Sequence, residues 1–233
     1  MKFRYLLCLC IVFSVILCSL GCKNQINMGL ETNAETDSLP TDQNSGYDAT
    51  FQITDGVYIE ELFSYSGEYV EDGSNEACSN IAAVRLVNNS DVHYQYLKFT
   101  VRTAEISYSF SATTLFSGAR MTVLDQTKTA YADGQIVSVE ANSVAPFTSQ
   151  PTVHLETFEI SYLDGIINVK NLTDQDRTDV YVYYKNMDDY GYFGGITYRC
   201  PFGTVSGGAT VQNSAANLKK DTSRIVFVTF SEQ

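Results

Sequence analysis

Six cysteines, two histidines and two knots of carboxylates are the side chains of this 233-residue sequence whose types could do more than pack. A nucleophilic serine or cysteine needs a base within reach. No G-x-S-x-G turn occurs, and Gly203-Thr-Val-Ser206-Gly207 has the wrong spacing for one. His93 follows Ser90-Asp91 and His154 stands alone in the second half, so each reads as an isolated surface imidazole. No glycine-rich loop of the phosphate-cradling kind is present. Asp174, Asp176 and Asp179 crowd around Arg177, and Glu68, Glu71, Asp72 and Glu76 crowd another segment. Calcium takes six to eight oxygen ligands, but neither run follows D-x-[DN]-x-[DN]-G, so both are expected to be solvated turns. Paired carboxylates for cleaving a glycoside are set by distance in space, and no pair is singled out by spacing. The expectation is therefore no catalytic residue, no metal and no cofactor.

Sixteen tyrosines and no tryptophan make tyrosine the main aromatic supply for a surface. Its ring is apolar and its tip polar, which suits interfaces. Val180, Val182 and Tyr184 share one phase of an alternating run, which turns Tyr181, Tyr183 and Lys185 outward. Tyr190 and Tyr192 follow closely, so Tyr181, Tyr183, Tyr190 and Tyr192 form a candidate binding surface. The competing expectation is that these rings pack on the first half of the chain or on cross-strand neighbours.

The remaining chemistry lies at the N-terminus. Lys2 and Arg4 precede a fifteen-residue apolar run, 6–20, too short for a spanning helix but suited to a signal peptide. It ends Ser19-Leu20-Gly21-Cys22, which resembles the lipobox of bacterial lipoproteins; Ser19 departs from the aliphatic residue usual there. The resemblance implies that Cys22 is acylated and becomes the first residue of the mature chain. Residues 1–21 are then a lipoprotein signal peptide, and the acyl chains hold the protein to the outer face of the cell membrane. An ordinary secretory signal is the alternative. Losing Lys2 and Arg4 leaves 13 basic residues against 27 acidic ones, a net charge of −14 in place of −12. Such a surface offers nothing to nucleic acid. Cys8, Cys10 and Cys18 leave with the leader. Cys78 and Cys200 remain, open to a disulfide in an exported protein or to two buried free thiols.

These residues must be positioned by β-structure. After a polar, acidic stretch, 22–50, expected to be a flexible linker, Val, Ile, Tyr, Phe and Thr alternate with polar residues. Leu97, Phe99 and Val101 alternate with Lys98, Thr100 and Arg102. Asp164-Gly165 separates two such runs as a hairpin turn, and 225–230 reads as a terminal core strand. A shift of 83 residues lays Asn88 and Ser90 over Asn171 and Thr173, Val101 over Tyr184, Phe110 over Phe193 and Thr114 over Thr197. Ser117-Gly118 then matches Ser206-Gly207 after six inserted residues. The expected fold is all-β, two tandem immunoglobulin-like β-sandwich domains over 51–142 and 150–233. Pro146 and Pro151 flank their junction, and Pro201 calls for an edge or a strand end.

The runs DGIINVKN (164–171), VYVYYKN (180–186), GGITYR (194–199) and IVFVTF (225–230) resemble a group of uncharacterised lipoproteins from Gram-positive anaerobes. The halves are also similar, more loosely, to the short FxLYD-type β-sandwich modules of bacterial surface lipoproteins. The resemblance implies fold and location and carries no activity. The expected function is non-enzymatic binding of a protein or glycan at the cell surface. The alternative is a carboxylate-dependent enzyme, or enzyme accessory, acting on envelope polysaccharide.

Overall fold

Period-two alternation sets the faces of the strands as expected. Leu97, Phe99 and Val101 are fully buried, and so are Val180 and Val182. The structure is a computed structural model that describes residues 51–232; the leader, Cys22 and the acidic linker lie outside them. The fold is all-β, and no helix occurs among the described residues. The strands are β1 (Gln52–Thr54), β2 (Val57–Tyr69), β3 (Glu76–Asn88), β4 (Tyr94–Thr103), β5 (Ser107–Leu115), β6 (Arg120–Leu124) and β7 (Ile136–Pro146). They continue as β8 (Phe158–Leu163), β9 (Ile166–Asn171), β10 (Arg177–Asn186), β11 (Phe193–Gly194), β12 (Tyr198–Val205), β13 (Thr210–Ser214) and β14 (Ser223–Glu232).

Four sheets result, ordered β1-β2-β3-β6-β11, β5-β4-β7, β13-β9-β8 and β12-β10-β14. All pairings are antiparallel except that of β11 with β6. One core gathers Val57, Val84 and Leu86 with Phe99, Val101 and Phe110. A second gathers Phe158, Ile167 and Val169 with Val182, Cys200 and Val228. Asp164-Gly165 is the two-residue turn between β8 and β9, and 225–230 lies inside β14.

The two halves share a buried asparagine. Asn88 Nδ2 donates to Val92 O and Phe116 O, while its Oδ1 accepts from the amide and hydroxyl of Ser90. Asn171 repeats the pattern with Gln175 O, Val205 O and Thr173. Both are wholly buried, and each is satisfied on both sides of its amide.

The 83-residue shift holds through β4 and β10 and then fails. From β6 to β13 the offset is 90, so seven residues are inserted, not six. They lie in 187–197, between β10 and β12, which answers to only 104–107 in the first half. Phe110 therefore corresponds to Cys200, which faces Val182 as Phe110 faces Phe99. Phe193 belongs to the insertion, and the glycine matching Gly118 is Gly208, each at φ +71°. Pro146 closes β7, an edge strand, so the first half runs to 146 rather than 142 and the connection begins at 147. Pro201 lies in β12, also an edge strand, where a sheet tolerates proline.

Candidate functional site

The halves differ in two places, and both differences meet. The hairpin β2–β3 runs 13 residues on each strand against six in β8 and β9. At roughly 3.3 Å per residue, it overreaches its own core and puts its tip on the second half. Asn75 Nδ2 donates to Asn217 Oδ1 at 2.8 Å, Lys219 pairs with Glu68 at 3.2 Å, and Tyr198 donates to Val70 O. Outside the two main cores, Tyr69, Ile81, Ala83 and Leu124 form a small third one beneath this extension.

The inserted loop reaches the other way. Asp188 organises it: Oδ1 accepts from the amides of Tyr190 (3.0 Å) and Tyr192 (2.9 Å), and Oδ2 from Thr122 Oγ1 (2.8 Å). Phe193 and Gly194 then pair in parallel with Met121 and Thr122 of β6. Thr113 donates its amide to Gly195 O at 2.8 Å.

Between extension and insertion lies a groove of 620 Å³, within the usual range for small-ligand sites (about 300–1,000 Å³). Phe63, Tyr65, Glu68, Arg85, Asp189 and Tyr190 are among its walls. Arg85, on β3, pairs with Glu61 and lies 4.8 Å from the centre of the Phe63 ring, 5.0 Å from Tyr190 and 5.7 Å from Tyr192. These are cation–π distances. Its Nε is buried without a hydrogen-bond partner among the described residues. Tyr190 is 74% exposed, so its ring remains free to contact a ligand. Burial pushes the Tyr65 phenol up, and the neighbouring Cys78, Glu68, Asp188 and Asp189 add to this.

At the joint between the halves stand the fully buried Lys185 and the half-buried Glu71. Lys185 Nζ donates to Thr113 O at 2.6 Å, to Ile196 O and Thr197 Oγ1 at 3.1 Å, and lies 3.3 Å from Gly195 O. Its outward phase on β10 predicted exposure. It is instead fully buried, because that end of the strand faces the first half and four oxygens replace its water. Glu71 accepts the Leu124 amide at 3.0 Å, and its carboxylate lies where a Cβ on Gly195 would stand, 2.5 Å from Oε1. Burial raises the Glu71 carboxyl, against the Leu124 amide and Lys185; burial lowers the Lys185 ammonium, against Glu71.

The four candidate tyrosines are not one surface. Tyr183 stacks on Phe227 at 4.1 Å, and Phe147 meets Phe227 edge-on at 5.6 Å. Tyr181 carries Arg199 at 4.8 Å. These two lie on the outer face of β10, whereas Tyr190 and Tyr192 stand in the inserted loop beside Arg85. Cys78 and Cys200 are free thiols. Cys200 points into the second core toward Ser214 O, and Cys78 lies on β3 against Gly67 O, so their places in the fold keep them apart. Cys22 lies outside the described residues.

The histidines are structural. His93 Nδ1 accepts the Ser117 amide and its ring meets Phe116 edge-on; His154 pairs with Glu156 and packs on Phe230. Asp174, Asp176 and Asp179 are exposed, and Asp176 caps the Gly207 amide. Among the described residues no group of three or more His, Cys, Asp or Glu is placed to hold a metal ion. Sequence reasoning missed Arg85 and Lys185 as site residues, and it expected Glu71 in a solvated turn, whereas Glu71 turns inward onto the Leu124 amide. The usable signal was the seven-residue surplus at 187–197, which a gapless shift concealed.

No protein-family model matches the chain, and no curated protein matches it in sequence.

Proposed function

We propose that this is a lipid-anchored extracytoplasmic binding protein, without catalytic chemistry, whose ligand seat is the groove between the β2–β3 extension and the inserted loop. The carrying observation is that the two departures from the internal repeat converge there and bring Phe63, Tyr65, Arg85 and Tyr190 to one cavity. A scaffold repeated twice supplies packing, and a site grafted on it supplies function. In this proposal Cys22 carries the acyl chains, 22–50 is the tether, and the two halves are tandem immunoglobulin-like sandwich domains. The partner is a protein or glycan outside the membrane.

Two experiments test the proposal. Acyl labelling of the full chain is expected to disappear in Cys22→Ala, and labelling that persists would refute the anchor. Retention of the unacylated Cys22→Ala chain by envelope fractions is expected to fall when Tyr190→Ala is added, with an unchanged melting curve. Unchanged retention would refute the groove, and turnover of an envelope polysaccharide by the chain would favour the enzymatic alternative.

A further inference from the structure

The groove is unevenly charged. Its cations are already matched, Arg85 by Glu61 and Lys219 by Glu68. Of its remaining carboxylates, Asp188 spends both oxygens on the Tyr190 and Tyr192 amides and on Thr122, none of which carries charge. Asp189 is exposed and has no hydrogen bond or ion pair among the described residues. The groove thus holds two uncompensated negative charges in a chain whose net charge is −12. Such a cleft concentrates cations by its field.

Its aromatic wall suits the same chemistry. Phe63, Tyr190 and Tyr192 already gather about a guanidinium, that of Arg85, within 4.8 to 5.7 Å. Ring faces attract cations through their quadrupole, and desolvated sites strengthen the attraction. The inner position is filled by the chain's own Arg85. Beyond its contacts with Arg85 and Tyr192 the Tyr190 ring is still largely exposed, and the carboxylate of Asp189 is exposed beside it in the sequence.

We infer that the groove binds an ammonium or guanidinium group, seated against Tyr190 with Asp189 as its counter-charge. The inference rests on the groove being the ligand seat. A cation here needs no rearrangement of Asp188, which keeps its loop in place while contributing charge. An anionic ligand would meet Asp188 and Asp189, with Arg85 and Lys219 already paired. A lysine or arginine side chain of a protein partner and a free polyamine would present the same group, and two probes separate them.

The full chain is titrated calorimetrically with spermidine and, separately, with a short uncharged-backbone peptide bearing two lysines; the same peptide with acetylated lysines is the control. At least one of the two cationic probes is expected to bind, weakening with added salt, while the acetylated peptide does not. Asp189→Asn and Tyr190→Ala are each expected to weaken binding by about tenfold, or about 1.4 kcal/mol. Both side chains are exposed, so melting curves of the variants should match the parent. Binding by the peptide alone assigns the site to a protein side chain, and binding by spermidine alone to a small polyamine. Failure of both cations to bind, equal binding of the acetylated peptide, or binding indifferent to both substitutions would overturn the inference. If envelope retention still depends on Tyr190 in that case, the groove stands as ligand seat and only its cation preference falls. If retention is independent of Tyr190, the seat itself is refuted.

Discussion

Replacing Lys185 by Met keeps the length and apolar stem of the side chain and removes the ammonium from the joint between the halves. The structure sets the size of the effect. Of the four oxygens around Nζ, Thr113 O retains the Thr197 hydroxyl, Gly195 O retains the Thr113 amide, and Thr197 Oγ1 retains Thr113 Oγ1. Among the described residues, Ile196 O alone is left without a donor. One orphaned buried acceptor costs about 1–3 kcal/mol. Breaking a buried ion pair costs about 3–5 kcal/mol, but Glu71 makes no direct bridge to Lys185, and relief of the buried ammonium offsets part of the loss. The expected destabilisation at pH 7 is about 2 kcal/mol, read as a lower urea midpoint by circular dichroism. Tyrosine fluorescence is the second probe, since the chain has no tryptophan.

The difference should also depend on pH. Burial lowers Lys185 from 10.5 to about 7. Between those values the unfolded chain holds a proton that the folded chain has lost, so stability rises with pH and is lost as pH falls through the window. Lys185→Met lacks this slope, and its deficit should widen from pH 7 to pH 9. A variant within about 0.5 kcal/mol of the parent, or a deficit that narrows as pH rises, would refute the reasoning.

Glu71 has the opposite sign. Burial raises it from 4.5 to about 7, so the folded chain keeps a proton longer and stability is lost as pH rises through that window. Glu71→Gln should remove the fall, and urea midpoints from pH 4.5 to 7.5 that still decline in the variant would count against it. Asn88→Ala and Asn171→Ala each remove the same four buried hydrogen bonds. Each should cost about 2–3 kcal/mol in urea unfolding, and a negligible cost at either would dismiss the equivalence. Cys200 is buried and its thiol is pushed up by burial, whereas Cys78 is partly exposed. Iodoacetamide should label Cys78 in the folded chain and Cys200 only after denaturation; peptide mass spectrometry showing equal rates would exclude this.

Much of the fold was legible because local patterns decide it. Alternation over 97–102 and 180–184 assigned the buried faces, since adjacent strand residues point to opposite sides. Asp164-Gly165 marked its hairpin, and the Asn88/Asn171 match marked the repeat, because each depends on neighbours a few residues away. The inserted loop was not legible. With so few identities between the halves, an ungapped match of Phe110 to Phe193 was as good as the true one to Cys200.

The site was decided by tertiary structure for the same reason. Arg85, Tyr190 and Asp189 come from segments about a hundred residues apart and meet only because a long hairpin and an inserted loop cross between two cores. Lys185 looks like any outward lysine until the first half covers it. The linear chain by itself determined the all-β class, the repeated asparagine and the strand phases. Which polar side chains lose water, and which rings surround a charge, depended on how the halves pack, because burial and electrostatic neighbours are properties of space and not of spacing.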